Sequence, residues 1–196
     1  MNIISFEGIE GVGKTTQIDL LKKFLEKNSK EVEIYREPGS TLSGEKIRDV
    51  LLDDQHDLSS KTELLLMFSA RSELVNKKIN SSSADYILLD RFFDASLAYQ
   101  GYGRDLSLKF IKSLIDFIDC PIPDLSILID ISVEEGFARK INDKIDRIES
   151  SGNVFFNKVR DGYLEIAKNN EDRFIIIDGS NTIEEIHNDI IQNINL

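Results

Sequence analysis

Short apolar runs alternate with stretches of helical periodicity along the whole chain. Five runs are apolar at nearly every position, which is the pattern of strands that helices cover on both faces. They span residues 3–6, 32–35, 86–90, 125–131 and 174–178. Between them, apolar residues recur every three or four positions, which predicts amphipathic helices. The alternation predicts an α/β fold of the P-loop NTPase type, a three-layer arrangement in which a five-stranded parallel sheet is flanked by helices on both faces.

Capping patterns mark the start of two of these helices. Ser60 and Glu63 have the spacing of a capping box ahead of an apolar stripe, which predicts a long helix from residue 60 to about residue 80. Thr182 and Glu185 repeat this spacing before the last helix. The other apolar stripes lie at residues 18–25, 44–52, 110–118 and 155–166.

Length and composition are typical of one globular domain. With 196 residues, of which 41% are hydrophobic and 30% charged, we expect a single domain over residues 1–196. No apolar run has the length of a membrane span, and the N-terminal segment lacks the pattern of a signal peptide. Cys120 is the one cysteine, so no internal disulfide can form. We therefore expect a protein of the reducing cytoplasm that has no membrane partner.

The acidic charge balance limits the kind of partner. With 24 basic and 35 acidic residues, the formal net charge is −11. A surface that binds nucleic acid needs a basic patch, so the composition argues against nucleic acid as a partner. If the protein handles phosphate groups, it must do so with a few placed cations rather than with a general positive field.

A glycine-rich loop lies between the first predicted strand and the first predicted helix. Residues 8–15 read GIEGVGKT and match G-x-x-x-x-G-K-[ST], and this position favours a phosphate-binding loop over an ordinary glycine turn. Its backbone N–H groups can surround an anion at the positive end of the helix dipole, and glycine lets phosphate oxygens approach. In such a loop Lys14 reaches the β- and γ-phosphates, and the hydroxyl of Thr15 binds Mg²⁺. The sequence therefore predicts a site for a nucleoside triphosphate.

Polar pairs follow four of the five predicted strands. They are Glu7-Gly8, Arg36-Glu37, Asp90-Arg91 and Asp178-Gly179. Ligands of open parallel sheets bind at the carboxyl ends of the strands, so we expect these pairs to meet in one crevice.

The residues of this crevice separate classes of P-loop protein. A GTPase would need D-x-x-G and N-K-x-D, and the chain contains neither. A motor ATPase would carry Glu after the acidic residue of its second acidic strand, whereas Arg91 follows Asp90 here. A cation beside that carboxylate suits the gripping of an acceptor or of transferred phosphoryl charge. Because Asp90 and Arg91 stand at the end of a buried strand, a functional role in a kinase is favoured over an ordinary surface ion pair.

Four segments together resemble the thymidylate kinase family. They read FEGIEGVGKTTQ, REPGSTLSGEKIR, DRFFDASLAYQGYGR, and DKIDRIE followed by FFNKVRDGYLEIA. The resemblance extends from residue 2 to about residue 180. It implies that the chain transfers a phosphoryl group from ATP to dTMP with Mg²⁺, a step of dTTP biosynthesis. It also implies a homodimer, joined through apolar helix faces such as those of Phe68 or Phe110.

The resemblance implies a dTMP site at the strand ends. The positions of Arg36 and Arg91 contact the acceptor phosphate in the family; Arg36 could instead fix its own loop, but the turn at Pro38 and Gly39 favours binding. Phe68 is implied to stack on thymine and Arg71 to bond to its O4, although the spacing of Phe68 is equally typical of a core residue. Tyr99 resembles the tyrosine that excludes a ribose 2′-hydroxyl.

Further residues complete the implied sites. Glu10 engages either the sugar 3′-hydroxyl or the hydration shell of Mg²⁺ in the family. The residues implied to contact dTMP are Glu10, Arg36, Phe68, Arg71, Arg91, Ser96, Tyr99 and Gln100. The residues implied to bind ATP are Gly8, Ile9, Glu10, Gly11, Val12, Gly13, Lys14, Thr15, Thr16, Arg139, Asp178, Gly179 and Ser180. The residues implied to bind the metal ion are Thr15, Asp90 and Glu10.

The charged segment at about residues 138–153 is implied to be a lid that covers ATP and excludes water. Because Val12 gives the phosphate loop no cation, the lid must supply one to the migrating phosphoryl group. Which lid residue does so stays open, and Arg139 could instead lie against adenine. The residues implied to act as catalytic cations are Lys14, Arg91, Arg139, Lys140, Lys144 and Arg147.

Two rival functions remain open at this point. Another nucleoside monophosphate kinase, or a deoxynucleoside kinase, would share the loop and differ in the acceptor. A nucleotide-binding regulator without catalytic activity would bind ATP, and no acceptor would raise its turnover. A panel of acceptors distinguishes the first rival from a kinase that acts on dTMP. The effect of Arg91→Ala on kcat/KM distinguishes the second rival from an enzyme.

Overall fold

The structure, a computed structural model, describes residues 1–140 and 146–194. All five predicted strands are present and form one parallel sheet with the order β2-β3-β1-β4-β5. The strands are β1 (Asn2–Glu7), β2 (Val32–Arg36), β3 (Tyr86–Asp90), β4 (Leu125–Asp130) and β5 (Phe174–Asp178). Their buried faces are almost wholly apolar, because helices cover both sides of the sheet. The predicted α/β fold is confirmed.

Eight α-helices connect and cover the strands within the described residues. They are α1 (Lys14–Lys27), α2 (Leu42–Leu52), α3 (Ser60–Leu74), α4 (Phe93–Ser96), α5 (Leu108–Phe117), α6 (Val133–Ala138), α7 (Gly152–Lys168) and α8 (Ile183–Gln192). Two π-helical turns, Val75–Ile79 and Leu97–Gly103, continue α3 and α4. The spacing of Ser96, Tyr99 and Gln100 predicts a short helix, and the structure has α4 and the following π-helical turn there.

The start of α3 corrects one prediction. Ser59 rather than Ser60 caps this helix, and its hydroxyl accepts the N–H of Thr62. Glu63 is therefore not the carboxylate of a capping box; its side chain is buried and binds other side chains. The predicted box of Thr182 and Glu185 at α8 is confirmed.

The strand register aligns the polar motifs at one edge of the sheet. Phe6 of β1 and Arg36 of β2 both lie opposite Asp90 at the end of β3. The residues that follow these positions therefore share the carboxyl edge of the sheet, where the glycine-rich loop of residues 8–15 also begins. The register confirms that the β1, β2 and β3 motifs meet there.

No helix within the described ranges has the length and apolar character needed to cross a membrane.

Candidate active site

The glycine loop has a backbone that side chains would obstruct. Gly8, Gly11 and Gly13 all have positive φ angles, of 133°, 75° and 94°. A Cβ added to Gly8 would lie 2.5 Å from the carbonyl oxygen of Ile129. Helix α1 starts directly after Gly13, so its free N–H groups and its dipole point toward the loop. The loop thus has the geometry of an anion site.

Lys14 is folded into this loop. Its ammonium group donates to the carbonyl oxygens of Ile9 at 3.0 Å and Gly8 at 3.4 Å. Burial and the neighbouring charge of Arg91 together lower the pKa of Lys14 to about 8, against the opposing effect of nearby carboxylates. The negative charge of a triphosphate in the loop would favour the protonated form, so binding and protonation of Lys14 support each other.

Oxygen ligands for a hard cation meet beside the loop. The hydroxyl of Thr15 donates to Oδ2 of Asp90 at 3.5 Å, and both residues line the cleft. Within the described residues no group of three or more His, Cys, Asp or Glu side chains could hold a metal ion on its own. A cation at this place would therefore take its other ligands from phosphates and water, as Mg²⁺ commonly does. The Thr15–Asp90 pair fits such an ion.

Arg91 connects the end of β3 to the glycine loop. Its Nη1 donates to the carbonyl oxygen of Gly8 at 2.7 Å and to the hydroxyl of Tyr163 at 3.1 Å. Its Nη2 donates to Oε1 of Glu10 at 2.8 Å. The guanidinium also lies 4.8 Å from the centre of the Tyr99 ring. Arg91 is thereby held at the mouth of the loop, where the sequence places it.

Glu10 shares these partners. Its Oε2 accepts the hydroxyl of Tyr99 at 2.7 Å while its Oε1 accepts Arg91. Burial alone would raise the pKa of Glu10, but the charges of Arg91 and Lys14 and the bond from Tyr99 lower it below its ordinary value. The negative charge of Glu10 inside the anion-binding loop is thus neutralised by Arg91, which follows β3. The two oxygens that could bind a metal ion both have protein partners here.

Arg71 lies in the cleft wall and is fixed by Glu37. Its Nε donates to the two oxygens of Glu37 at 2.8 and 3.1 Å, and its Nη1 donates to Oγ of Ser96 at 2.9 Å. Its guanidinium lies 4.7 Å from the centre of the Phe68 ring. The structure does not bring Phe68 to the expected place against a base: the side chain is 4% exposed and does not line the cleft. The preceding residue, Met67, lines it instead.

Two arginines of the β2–α2 region line the cleft. Arg36 donates to Oε2 of Glu45 at 2.8 Å, and the other Glu45 oxygen accepts the N–H of Ser40 at 2.7 Å. Arg36 therefore fixes its loop and also faces the cleft, so the two readings of this residue are compatible. Arg48 lies one helical turn after Glu45 and donates to the carbonyl oxygen of Pro38 at 2.9 Å. The sequence prediction did not include Arg48.

A buried carboxylate links α3 to the lid segment. Glu63 accepts Gln100 at 3.0 Å, Arg104 at 3.3 Å and Arg147 at 2.8 Å. Arg147 also donates to the carbonyl oxygen of Leu51 at 2.8 Å. Burial would raise the pKa of Glu63, but these donors lower it below its ordinary value. The structure therefore does not bring Arg147 into the cleft, since its guanidinium is occupied by Glu63 and Leu51.

Two of the predicted lid cations do line the cleft. Arg139 donates to the carbonyl oxygen of Gly179 at 3.0 Å, which places it beside the end of β5. Lys140 forms an ion pair with Glu149. Lys144 lies outside the described residues.

The cleft that contains these groups has a volume of about 500 Å³. Gln100 and Ser96 face it, as expected, whereas Asp178 and Ser180 lie at the neighbouring end of β5 and bond to each other. Sequence reasoning missed Met67, Arg48 and Glu63. Met67 lies four residues before Arg71 and Phe68 three, so the helix face of Arg71 is a signal for both and does not choose between them. The roles of Arg48 and Glu63 depend on other elements.

The fold and the site define a P-loop phosphotransferase: a glycine loop for a triphosphate, a place for a divalent cation, and arginines on neighbouring strand ends. Comparison with known proteins narrows this class. The family model for thymidylate kinase matches residues 6–190. The chain is 42% identical to a thymidylate kinase of Kosmotoga olearia, over 96% of this chain and 93% of the relative. It is 44% identical to one of Thermoanaerobacter sp. (strain X514), over 96% and 94%.

A solved structure agrees with these relatives. The crystal structure of thymidylate kinase from Ehrlichia chaffeensis superimposes with a TM-score of 0.79 at 34% identity, covering 97% of this chain and 96% of that one. The chain belongs to the thymidylate kinase family. Its reaction is the ATP-dependent phosphorylation of dTMP to dTDP, and kinases of this kind use a divalent metal ion.

Proposed function

We propose that the cleft carries out this reaction by direct, in-line transfer. A phosphate oxygen of dTMP attacks the γ-phosphorus of ATP, the bond to the β–γ bridging oxygen breaks, and its electron pair leaves with ADP. No general base is needed, because the second pKa of a phosphate monoester is about 6 and the acceptor is already largely ionised at neutral pH. The protein's contribution is alignment and neutralisation of charge.

The observation that carries this proposal is the contact of Arg91 with the glycine loop. Its guanidinium bonds to Gly8 and Glu10 of the loop while its backbone follows the Asp90 of the predicted metal site. One side chain is therefore adjacent to both the triphosphate loop and the acceptor side. Together with Lys14 it would stabilise the charge of the phosphoryl group in the transition state.

The acceptor phosphate is proposed to bind to three arginines. Arg36 and Arg48 face the cleft from the β2–α2 region and Arg91 faces it from the end of β3. Arg36 forms an ion pair with Glu45, and Arg91 forms an ion pair with Glu10. A dianion would complement this net positive charge without a general basic surface.

The thymine base is proposed to lie against α3 and the turn after α4. Arg71 and Ser96 offer polar contacts, and Gln100 lies beside them. Met67 provides the apolar surface, and Phe68 supports the guanidinium of Arg71 from the side of the core. Tyr99, held by Glu10, would stand against the sugar and exclude a 2′-hydroxyl.

We assign the metal ion as Mg²⁺, held by Thr15 and Asp90 in addition to the phosphates of ATP. When bound, this ion supplies positive charge to the phosphate oxygens. Glu10 is proposed to act on the nucleotide sugar rather than on the ion, since both of its oxygens are directed to Arg91 and Tyr99.

The lid residues are assigned from their partners. Arg139 bonds to Gly179, which neighbours Asp178 and Ser180, so we assign these four residues to the adenine side of the ATP site. Among the lid cations that the structure describes, Lys140 then remains to face the phosphoryl group, since it lines the cleft.

The same proposal includes a cytoplasmic homodimer of single-domain chains. The candidate faces for this dimer are those of α3, with the exposed Leu65, and of α5, with the exposed Phe110 and Phe117. Light scattering of Leu65→Glu and Phe110→Glu identifies the face, because only a charge in the interface should yield monomers. If both variants and the parent are monomers, the assignment is wrong.

The experiment for the proposed site is an assay of ADP release with a panel of acceptors. The parent should prefer dTMP over dUMP, AMP and thymidine, and Arg91→Ala should lose about three powers of ten in kcat/KM for dTMP. Arg160→Ala is the matched control, because Arg160 pairs with Asp130 and does not line the cleft. Unchanged activity of Arg91→Ala contradicts the proposed site.

A further inference from the structure

The backbone of Arg91 is in an unusual conformation that its neighbours maintain. Its φ angle is 68°, in the left-handed region that residues other than glycine and asparagine seldom occupy. The N–H of Arg91 donates to the carbonyl oxygen of Phe6 at 3.0 Å. The next N–H, of Phe92, donates to Oε1 of Glu7 at 2.9 Å. The carboxylate of Glu7 thereby holds the turn that directs Arg91 into the cleft.

The second oxygen of Glu7 acts on the other end of the same arginine. Its Oε2 accepts the hydroxyl of Tyr163 at 3.0 Å, and the oxygen of that hydroxyl accepts Nη1 of Arg91 at 3.1 Å. One carboxylate therefore acts on the backbone after Arg91 directly and on its guanidinium through Tyr163. This chain of bonds fixes both where the side chain of Arg91 starts and where it ends.

Neither Glu7 nor Tyr163 can touch a substrate. Glu7 is 0% and Tyr163 1% exposed, and neither lines the cleft. Any effect of these groups on the reaction must therefore pass through residues that do line it, and among these Arg91 is the one that hydrogen-bonds to Tyr163 and directly precedes the N–H bound by Glu7.

We propose that Glu7 and Tyr163 are positioning residues for Arg91, which keep its guanidinium at the junction of the two substrates. The proposal rests on the proposed function, in which Arg91 holds the acceptor phosphate. It connects α7, which carries Tyr163, with the ends of β1 and β3. Loss of either group should leave the ATP loop intact and misplace Arg91.

The test removes a single hydroxyl. Tyr163→Phe retains the ring, which packs edge-on against Tyr99 at 6.2 Å, and should fold as the parent does. We expect kcat/KM for dTMP to fall about tenfold and KM for ATP to stay within about twofold. Tyr102→Phe is the matched control, because the hydroxyl of Tyr102 bonds to Glu165 away from the cleft, and it should retain the parent kinetics.

A double-mutant cycle distinguishes positioning from a general structural effect. If Tyr163 acts through Arg91, Tyr163→Phe should cost less than about twofold in the Arg91→Ala background. An equal loss in both backgrounds overturns the proposal, and so does a Tyr163→Phe variant with parent kinetics. In either case a strong effect of Arg91→Ala alone would leave the proposed function standing, whereas no effect of Arg91→Ala contradicts the proposed function itself.

Glu7→Gln provides a second variant. It keeps an oxygen for the N–H of Phe92 and places an NH2 group, which cannot accept a hydrogen bond, where Oε2 accepts the hydroxyl of Tyr163, so its loss of kcat/KM should also shrink in the Arg91→Ala background. A loss of equal size in both backgrounds counts against the proposal. If this variant does not fold, the Tyr163→Phe cycle decides alone.

Discussion

Two sets of cations face the same cleft, and they are held in different ways. Arg71 on α3 and Arg91 after the end of β3 are each surrounded by carboxylate, carbonyl and aromatic partners of the guanidinium. Arg139 and Lys140 belong to the proposed lid, and the side chain of each has one hydrogen-bonded partner among the described residues. The first set is placed before any substrate arrives, whereas the second set has fewer contacts to break.

The difference follows from what each set does. Groups that stabilise charge in a transition state act best when their positions are fixed in advance, because no reorganisation is then needed during the reaction. A segment that covers ATP has to admit and release the nucleotide, which strong contacts would slow. The comparison therefore predicts large effects for the fixed cations and for the glycine loop, and small effects for the lid cations Arg139 and Lys140.

The largest effect is expected at Lys14. Lys14→Met should lower kcat about a thousandfold, because no other group replaces an ammonium inside the phosphate loop. Lys140→Met is the matched substitution at the lid and should cost about tenfold. Single-turnover kinetics with saturating ATP measures both values. A lid variant as damaged as the loop variant would contradict the comparison.

Among the cations of the cleft, Arg71 should make the largest contribution to the free energy of unfolding. Arg71→Met leaves Glu37 buried without its cation, and we expect the free energy of unfolding to fall by about 3 kcal/mol. Urea denaturation measures this loss. Adding Glu37→Gln should recover part of it, since the uncompensated charge is then removed. A single variant as stable as the parent would show that the pair is dispensable.

The ion pair of Glu63 with Arg147 joins α3 to the lid segment, and its loss should have an effect of intermediate size. Glu63→Gln and Arg147→Gln should show a coupling energy of about 1–2 kcal/mol in a double-mutant cycle of unfolding. Additive losses would mean that the two side chains do not interact. Ser150→Ala, at an exposed position of the same segment, is the control and should have little effect.

Burial of Glu7 should make stability depend on pH. Burial raises its pKa from 4.5 to about 8; the charge of Asp94 adds to the shift, whereas Arg91 and the bonds from Tyr163 and Phe92 oppose it. Lys14 and Arg71 also face Glu7. The folded protein therefore binds this proton more tightly than the unfolded chain. Its contribution to stability is complete below pH 4.5 and is lost as the pH rises to about 8.

The slope of stability against pH measures this effect. For one group it is at most about 1.4 kcal/mol per pH unit between these two pH values, and Glu7→Gln should remove it. Urea titrations at several pH values provide the slope. If the slope persists unchanged in Glu7→Gln, another group, such as Asp94, is responsible for the pH dependence.

The smallest effect is expected at Arg139. Because Arg139→Ala removes one bond to Gly179 at the edge of the ATP site, KM for ATP should rise about threefold with kcat little changed. Initial rates over a range of ATP concentrations measure the change. A drop in kcat larger than that of Lys140→Met would exchange the proposed roles of these two residues.

Much of the fold could be predicted from the sequence because its signals are local. The five strands are continuous apolar runs, and the glycine loop is a contiguous pattern whose N–H groups act within one turn of chain. Strand order and parallel pairing then bring Arg36, Asp90 and Arg91 to one edge. One local prediction was wrong: Ser59 rather than Ser60 caps α3, and Glu63 binds partners that are far away in the chain instead of closing a capping box.

The sequence by itself determined the layers, the phosphate loop and the residue types of the cleft, since periodicity and loop geometry depend on neighbours in the chain. Only the tertiary structure decided which side chain of α3 faces the cleft, Met67 rather than Phe68, because packing against other elements fixes the rotation of a helix. It also decided that Arg147 binds Glu63 and that Glu7 and Tyr163 meet at Arg91. These contacts join residues that are 84, 156 and 72 positions apart, and no local pattern specifies which distant partner a buried charge will find.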